Sequence, residues 1–377
     1  MEIAFNRPHL TGKEAHYMYE AVFNGKLSGN GIFTKRCQKF FEEKYGFKKA
    51  LLTTSCTDAL EMCALLSDVG PGDEVIVPSY TFVSSALAFV RQGCHIVFAD
   101  SCEDNPNIDA DKLENLITTH TKVIVVVHYA GVACDMDRIM NIANRHDLIV
   151  VEDAAQSIDS FYKGRPLGSI GHMAAFSFHE TKNIISGEGG LLAINDERFI
   201  PRAEILWEKG TNRAQFFRGE INKYGWVDTG SSFLPSELVA AFLWAQIEDM
   251  DDIQNKRKAL WQRYYENLKN LGRQRPVLPA IPDYATNNAH MFYLVCNSLD
   301  ERSQLIAYLK RHGILAVFHY LALHKSNFYT ERVADIPNLP NCDRYANCLV
   351  RLPMYYDLKL EQVDEVCRNI EDFIQKL

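Results

Sequence analysis

The sequence lacks the patterns that mark several common protein classes. None of its ten cysteines forms a CxxC pair, and a chain of 377 residues can build its core without disulfides. Neither an HExxH nor an HxxEH spacing occurs, so nothing indicates a metal hydrolase and we expect no metal. No basic block accompanies the net charge of -8, which argues against nucleic acid as a partner.

Long apolar segments are also missing. No uninterrupted run of about 18 apolar residues occurs, and the first ten residues show no charged start followed by an apolar stretch. No internal repeat or low-complexity tract interrupts the chain. We therefore expect a soluble, cytoplasmic protein with no membrane partner, and the length favours two domains.

Short apolar runs alternate with helical patterns in the first 250 residues. Strands are predicted at 50–52, 74–77, 95–98, 123–127, 148–151, 174–178 and 190–194. This alternation indicates βαβ units and a mostly parallel sheet, here of seven strands. A long helical pattern follows over 236–271, and the segments 291–296, 302–312, 314–317 and 360–377 indicate a smaller α+β unit. The sequence predicts an α/β fold with a large domain over 1–250 and a small C-terminal α+β domain over 251–377.

Lys182 lies in a stretch that suits a covalently bound cofactor. It follows the apolar run 174–178, has hydroxyl residues Ser177 and Thr181 beside it, and precedes a glycine cluster at 187–190. Glycine allows the backbone to come close to a ligand, and a lysine in such a place is a candidate for a Schiff base. A lysine in a turn is more commonly a solvated charge, so this stretch alone leaves both interpretations open.

Asp153 follows the predicted strand 148–151. In open α/β sheets, ligands bind outside the carboxyl ends of the strands, and that is where Asp153 would lie. A carboxylate there could keep a pyridinium nitrogen protonated, as pyridoxal phosphate requires of its Asp and Lys partners. The alternative is that Asp153 caps the next helix. With Lys182 downstream, we favour the cofactor role.

A third segment suits a phosphate. In LLTTSCTDALEMCALL, a short strand leads through hydroxyl residues into a helix, whose free N–H groups and partial positive charge attract an anion. We assign the contact to the backbone N–H groups of Thr57 and Asp58, with the Asp58 carboxylate turned away. An ordinary helix cap is the alternative.

Aromatic and histidine side chains near strand ends are weaker candidates. Phe82, after the strand 74–77, could stack on a cofactor ring or pack in the core. His128, His319 and His324 lie at strand ends or in turns, where a single histidine is usually part of the hydrogen-bonded structure.

Taken in order, these segments resemble a known family. They are SCTDAL, PSYTFVSS, VVHYAGVACDMD, VVEDAAQS, FSFHETKN with GEGG, and AVFHYLALH. Together they resemble the DegT/StrS family of sugar-nucleotide aminotransferases nearly from end to end. The resemblance implies the aspartate-aminotransferase fold (fold type I) and pyridoxal 5'-phosphate as cofactor. It also implies a homodimer with shared active sites.

The resemblance assigns roles around the cofactor ring. Lys182 would hold the cofactor covalently and would be the catalytic residue. Asp153 would pair with the ring nitrogen, Gln156 would reach the phenolic oxygen, and Phe82 would stack on the ring.

Phosphate contacts follow from the same resemblance. They would come from the backbone at Thr57 and Asp58 and from the Ser177 hydroxyl. Family members add an Asn from a GxNxR-type loop of the neighbouring subunit. Here Ser232 stands in place of that Asn and Leu234 in place of the Arg, so the contact across the dimer rests on Ser232.

The substrate is also suggested by resemblance. The segments EKGTNRAQFFRG, SGNGIFT and NAHMFYL are most similar to transaminases that act on dTDP-4-dehydro-6-deoxyglucose with L-glutamate as amino donor. We expect dTDP-4-amino-4,6-dideoxy-D-galactose and 2-oxoglutarate as products, in surface polysaccharide synthesis. The alternatives are the 4-amino-glucose (viosamine) epimer and a 3-aminotransferase on a related nucleotide sugar.

Several basic side chains are candidates for the nucleotide. Lys209, Arg213 and Arg218 lie within ten residues of one another and could bind the diphosphate, although a solvated charged loop would have the same composition. His324 resembles a family position near the substrate, and His319 is a further candidate for binding the substrate.

Two rival functions are less well supported by the residues. Dehydratase relatives carry His in place of the Schiff-base lysine, whereas this chain has Lys182. Some relatives are non-enzymatic regulators, but the presence of Lys182, Asp153, Gln156 and Ser177 together argues against a purely binding role.

Overall fold

The computed structural model of the chain describes residues 2–271 and 276–376. In these residues the helices are α1 (Glu14–Phe23), α2 (Ile32–Tyr45), α3 (Cys56–Leu66), α4 (Ser84–Val90), α5 (Met136–Arg145), α6 (Ile200–Trp207), α7 (Arg213–Phe217), α8 (Glu237–Glu248), α9 (Met250–Leu268), α10 (Leu299–Arg311), α11 (Asn327–Thr330), α12 (Pro340–Cys348) and α13 (Leu360–Ile374). The strands are β1 (Lys49–Thr53), β2 (Glu74–Pro78), β3 (His95–Ala99), β4 (Thr121–Val127), β5 (Ile149–Asp153), β6 (Phe161–Tyr162), β7 (Arg165–Pro166), β8 (Met173–Ser177), β9 (Gly190–Ile194), β10 (Tyr293–Val295), β11 (Val317–Phe318) and β12 (Leu349–Arg351).

The largest sheet within the described residues has seven strands in the order β1-β9-β8-β5-β4-β2-β3. From β3 across to β8, each neighbouring pair is parallel. Strand β9 runs antiparallel to both β8 and β1. The expected mostly parallel sheet is therefore confirmed, and each predicted strand forms. Apolar, β-branched runs such as that of β4 form strands of this kind because both faces of the sheet are covered.

Successive side chains of a strand point to opposite faces of the sheet, and helices cover each face. Leu51 and Val125 belong to the same buried cluster as residues of α3. Leu52, the next residue along β1, packs on the other side with residues of α2 and α8. Ile124 joins residues of α5 on that second side. The helices cover the two faces of the sheet. The carboxyl ends of the parallel strands lie together at one edge and remain open.

The helical pattern over 236–271 forms two helices, α8 and α9. They are separated at Asp249, whose backbone lies outside the helical region with φ -104 and ψ 11. The final helix, expected over 360–377, ends at Ile374, and Leu377 lies outside the described residues. Within the described part of the chain, none of the helices combines the length and apolar character needed to cross a bilayer.

A second core forms in the C-terminal part around the sheet β10-β12-β11. Ile3 joins this core: its N–H donates to the carbonyl of Gly313 at 2.7 Å, and its carbonyl accepts from Leu315 at 3.0 Å. Strand β12 was not anticipated from the sequence, because three residues are too few to show a periodicity. The division at residue 250 remains our proposal.

Candidate active site

A cavity of about 630 Å³ lies where the carboxyl ends of β5 and β8 meet the first turn of α3. Both the large sheet and the C-terminal part contribute to its walls. The residues predicted from the sequence that line it are Thr57, Asp58, Phe82, Asp153, Gln156, Ser177, Lys182 and His319. Segments that are far apart in the chain therefore converge at the edge of the sheet where ligands are expected.

Lys182 lies in the turn between β8 and β9, where its N–H donates to the carbonyl of His179 at 2.9 Å. Lys182 is partly exposed, and desolvation of its amine in the cavity wall lowers its pKa. Asp153 and Cys56 oppose the shift, and Arg351 adds to it. A lowered pKa increases the fraction of neutral amine, which is the nucleophilic form.

Asp153 ends β5 and is 6% exposed. One carboxylate oxygen accepts from Ser85 Oγ at 2.6 Å and the other from the N–H of Ala155 at 3.1 Å. Burial raises the pKa of Asp153, although Ser85, Ala155 and Lys182 act in the opposite direction. Turns rather than a helix follow β5, so Asp153 does not serve as a helix cap. A cation placed against it would relieve the cost of its burial.

The first turn of α3 forms another wall of the cavity. Ser55 caps the helix, since its Oγ accepts from the N–H of Asp58 at 3.1 Å. The Asp58 carboxylate is held by Thr54 Oγ1. Thr57 Oγ1 is hydrogen-bonded to Ser84 Oγ at 2.8 Å. The Thr57 N–H is one of the first-turn amides that a helix leaves without an internal acceptor, so it is available to an anion.

Gly190 allows β9 to approach this turn closely. A Cβ atom at Gly190 would lie 2.4 Å from the backbone carbonyl of Ser55 and 2.5 Å from the nitrogen of Cys56. Any other residue would therefore push the first turn of α3 away from the strand.

Gln156 is held in place by two hydrogen bonds. Its Oε1 accepts from the N–H of Ala130 at 2.6 Å, and its Nε2 donates to Tyr320 Oη at 3.1 Å. The His319 ring stacks on Tyr320 with centroids 3.5 Å apart, and its Nδ1 is bonded to Tyr129 Oη at 2.6 Å. Phe82 faces outward with 56% of its surface exposed, so its ring is free to cover a ligand.

These groups fit pyridoxal phosphate. A buried carboxylate suits a protonated pyridine nitrogen, an amine of lowered pKa suits an aldehyde, and free N–H groups at a helix start suit a phosphate. The cavity holds all three kinds of group together.

The remaining predicted residues do not line this cavity in the single chain. Lys209, Arg213 and Ser232 are exposed, and Arg218 is paired with Glu204 at 2.8 Å. His324 is fully buried, with Nδ1 bonded to Ser79 Oγ at 2.7 Å. Their roles in binding stay predictions.

Sequence reasoning missed three cavity residues from the C-terminal part: His290, Tyr320 and Arg351. No spacing along the chain connects them with Lys182, because the fold alone brings them there. Arg351 did leave a signal, since it is a single cation inside the apolar run LVRLPMYY.

Glu152, next to Asp153, is a structural carboxylate. It is fully buried and accepts four hydrogen bonds, from His128 Nε2 at 2.8 Å and from the N–H groups of Gly168, Ile170 and Gly171 at 2.7, 2.8 and 2.5 Å. The hydrogen bond from His128 lowers the pKa of Glu152 against the effect of burial. This network fixes the end of β5 on which Asp153 stands.

Glu152→Gln is expected to destabilise the protein by about 2–4 kcal/mol at neutral pH, because an amide NH₂ would face donors that need an acceptor. A carboxyl whose pKa is lowered on folding stabilises the protein above its unfolded pKa, and this stabilisation is lost as pH falls through the folded pKa. The difference between variant and wild type should therefore shrink in acid. Urea unfolding at pH 7 and pH 4 measures it.

The control is Glu114→Gln, which removes an exposed ion pair with Arg145 and should change stability little. Equal stability of wild type and Glu152→Gln at pH 7 would contradict the proposed role of the network.

Comparisons with known proteins cover nearly the whole chain. The Bacillus subtilis (strain 168) spore coat polysaccharide biosynthesis protein SpsC is 32% identical over 387 aligned positions, covering 99% of this chain and 97% of that protein. The Streptococcus pneumoniae protein Spr1654, described as a sugar aminotransferase, superposes with a TM-score of 0.92 at 27% identity in its PMP-form, covering 100% of this chain and 98% of that chain. Its PLP-form superposes with a TM-score of 0.91 at 26% identity, covering 100% and 99%.

The PLP- and PMP-forms of this similar structure confirm the expected cofactor, pyridoxal phosphate. The model of one family matches residues 8–371 of the chain. The chain therefore belongs to the DegT/DnrJ/EryC1/StrS aminotransferase family.

Proposed function

We propose that this aminotransferase transfers the amino group of L-glutamate to the 4-keto group of dTDP-4-dehydro-6-deoxy-D-glucose. The products are dTDP-4-amino-4,6-dideoxy-D-galactose and 2-oxoglutarate. The observation that carries the transamination is the cavity in which Lys182, of lowered pKa, and the buried Asp153 both line the wall. The choice of sugar is supported by the resemblance of the segments 28–34, 208–219 and 288–294 to the WecE type of transaminase.

When bound, the cofactor supplies an electron-withdrawing ring. Lys182 would hold the cofactor covalently through its Nζ atom, and this Nζ would act as a base once the amino donor is bound. That Nζ removes the proton from Cα of the donor and, in the second half of the reaction, delivers a proton to C4 of the sugar. Asp153 keeps the ring nitrogen protonated by placing a buried negative charge beside it.

The remaining cofactor contacts are proposed as follows. Gln156 donates to the phenolic oxygen and Phe82 covers the ring. Thr57 and Asp58 bind the phosphate through their backbone, and the Ser177 hydroxyl adds a further bond. The Asp58 N–H already donates to Ser55, so Thr57 is the stronger of the two backbone donors.

A homodimer with shared active sites explains why other candidates lie away from the cavity. Lys209, Arg213, Arg218 and Ser232 would serve the partner's site, with the first three at the diphosphate. Exposed aromatics such as Trp226, 83% exposed, occur in the same segment. His319 and His324 are proposed on the sugar side, and only His319 reaches the cavity of its own chain.

The test is an absorbance spectrum of the purified protein during successive additions of L-glutamate and dTDP-4-dehydro-6-deoxyglucose. A yellow band that bleaches with glutamate and returns with the sugar is the expected result, and NMR of the product then distinguishes the galactose product from its glucose epimer. Bleaching without return would retain the aminotransferase and reject this sugar, which favours the 3-aminotransferase alternative. Absence of bleaching with any amino donor would favour a regulator.

A further inference from the structure

The segment 81–85 contacts several of the positions proposed to hold the cofactor. Phe82 belongs to this segment and is proposed to cover the ring. Ser84 Oγ is hydrogen-bonded to Thr57 Oγ1 at 2.8 Å, beside the phosphate position. Ser85 Oγ is hydrogen-bonded to Asp153 Oδ2 at 2.6 Å. Ser85 is therefore the member of this segment that reaches the charge proposed to lie beside the ring nitrogen.

Thr81 and Ser85 form a chain of hydroxyl groups that ends on Asp153. Thr81 Oγ1 and Ser85 Oγ lie 2.9 Å apart, and both residues are buried. An ionised carboxylate only accepts hydrogen bonds, so Ser85 uses its one hydroxyl proton for Asp153. The hydroxyl of Thr81 then donates to Ser85 Oγ. The charge of Asp153 thus sets the direction of both hydrogen bonds.

This chain of hydroxyl groups stabilises the ionised form of Asp153. Charge-assisted O–H···O⁻ bonds have lengths of about 2.5–2.7 Å, and the bond from Ser85 lies in this range. The bond from Thr81 polarises the Ser85 hydroxyl and strengthens its donation. Burial raises the pKa of Asp153, and the hydrogen bond from Ser85 is the largest effect that lowers it.

Other titratable groups also act on Asp153 or respond to its charge. They come from the turn after β8, the end of β4, helix α3 and the C-terminal part, and they are Lys182, His128, Cys56, Cys63 and Tyr320. Among the described residues, Ser85 is the one whose side chain donates a hydrogen bond directly to the Asp153 carboxylate.

We propose that Thr81 and Ser85 are positioning residues that keep Asp153 ionised, so that the proton shared with the ring nitrogen of pyridoxal phosphate stays on the nitrogen. Without the hydrogen bond from Ser85, the carboxylate would bind this proton more tightly. The proton would then move from the nitrogen to the carboxylate oxygen, and the neutral ring would withdraw electrons less strongly. The proposal rests on the proposed transamination and adds the groups that control the protonation of the ring.

Two variants of Ser85 separate the hydrogen bond from packing. Ser85→Ala removes the hydroxyl, whereas Ser85→Cys fills its space with a thiol that donates only weakly. The matched control is Ser160→Ala, which removes another buried serine hydroxyl. The Ser160 hydroxyl has no hydrogen-bond partner in the ranges 2–271 and 276–376, so its loss should leave each measured property as in wild type.

The direct readout is the ¹⁵N NMR signal of pyridoxal phosphate labelled at its ring nitrogen, recorded on the holoenzyme without substrates. In wild type and in Ser160→Ala, the signal should lie in the range of a protonated pyridine. In Ser85→Ala and Ser85→Cys, it should move toward the range of an unprotonated pyridine.

Unfolding of the cofactor-free protein gives an independent readout. A hydrogen bond that lowers the pKa of Asp153 in the folded protein stabilises the protein above that pKa, and this stabilisation is lost as pH falls through it. Ser85→Ala should therefore lower the unfolding temperature at pH 7, and its difference from wild type should shrink in acid.

Turnover should respond in a characteristic way. In Ser85→Ala, kcat should fall by about 10–10²-fold in both half-reactions with little change in KM, because the same ring serves both. In an Asp153→Asn background, Ser85→Ala should add little further loss, since both changes affect one interaction.

Three results would overturn the proposal. They are an unchanged nitrogen signal in Ser85→Ala, a return of wild-type rate and signal in Ser85→Cys, and a loss of rate confined to one half-reaction. The second would show that Ser85 acts through packing. Failure of the proposed function differs from these results, since wild type itself would then show no spectral change with L-glutamate. The nitrogen signal and the unfolding temperature need no amino donor, so they would still test Ser85.

Discussion

Lys182→Ala is expected to reduce transamination by about 10⁴-fold or more, because one side chain serves as both covalent partner and proton carrier. The yellow band of the covalently bound cofactor should disappear, while the fold is retained. The cavity wall loses an amine whose pKa is lowered by burial, and among the described residues no other lysine lines that cavity. Steady-state rates and absorbance spectra of the purified variant measure both effects.

The matched control is Lys122→Ala, which removes an exposed lysine of β4 and should leave rate and spectrum unchanged. Added methylamine should restore part of the activity of Lys182→Ala, since a small amine can carry the proton in place of the missing Nζ. Full activity of Lys182→Ala without added amine would refute the assignment.

Asp153→Asn is expected to lower the activity of the enzyme without lowering the stability of the protein. Turnover should fall by about 10²–10⁴-fold, because a neutral amide cannot hold the charge of a protonated ring nitrogen. The cofactor-free protein, in contrast, should be at least as stable as wild type at neutral pH. Burial raises the pKa of Asp153, and a carboxyl whose pKa is raised on folding costs stability as pH rises through the range between its unfolded and folded values.

Thermal unfolding of the cofactor-free proteins at pH 4 and pH 7 measures the second effect. The advantage of Asp153→Asn should be present at pH 7 and should vanish in acid. An asparagine can keep both hydrogen bonds, since its oxygen accepts from Ala155 and its NH₂ donates to the Ser85 hydroxyl. Glu152→Gln, one residue earlier in β5, is the contrasting variant because it should lose stability. A marked loss of stability in Asp153→Asn would show that Asp153 has a structural role like that of Glu152.

The large sheet could be predicted because its strands are short apolar runs that are buried on both faces, and such runs are visible in a sequence. Lys182 and Asp153 could be predicted because each lies just after such a run. The two helices over 236–271 could not be separated, since the helical periodicity continues through Asp249.

Other parts of the site depend on contacts that a sequence does not display. Tyr320 and His290 reach the cavity only because the C-terminal part packs against the large sheet. The basic side chains near residue 213 can be recognised in the sequence as a cluster, but the ion pairs that they form cannot. Arg218 pairs with Glu204 and Glu220, and Arg213 lies 3.7 Å from Glu208. The charge composition predicted cationic binding groups in this segment. It did not show that acidic side chains already pair with some of these cations.

The position of Ile3 has a consequence for synthesis of the chain on the ribosome. Ile3 pairs with Ile314, so its partner is translated roughly 15–60 s later at about 5–20 residues per second. During that interval the large sheet can form, but the first few residues have no core to enter. We therefore expect a difference in nascent chains that are released before residue 314 has been synthesised. Their first few residues should remain accessible to proteases, whereas the large sheet should already be protected.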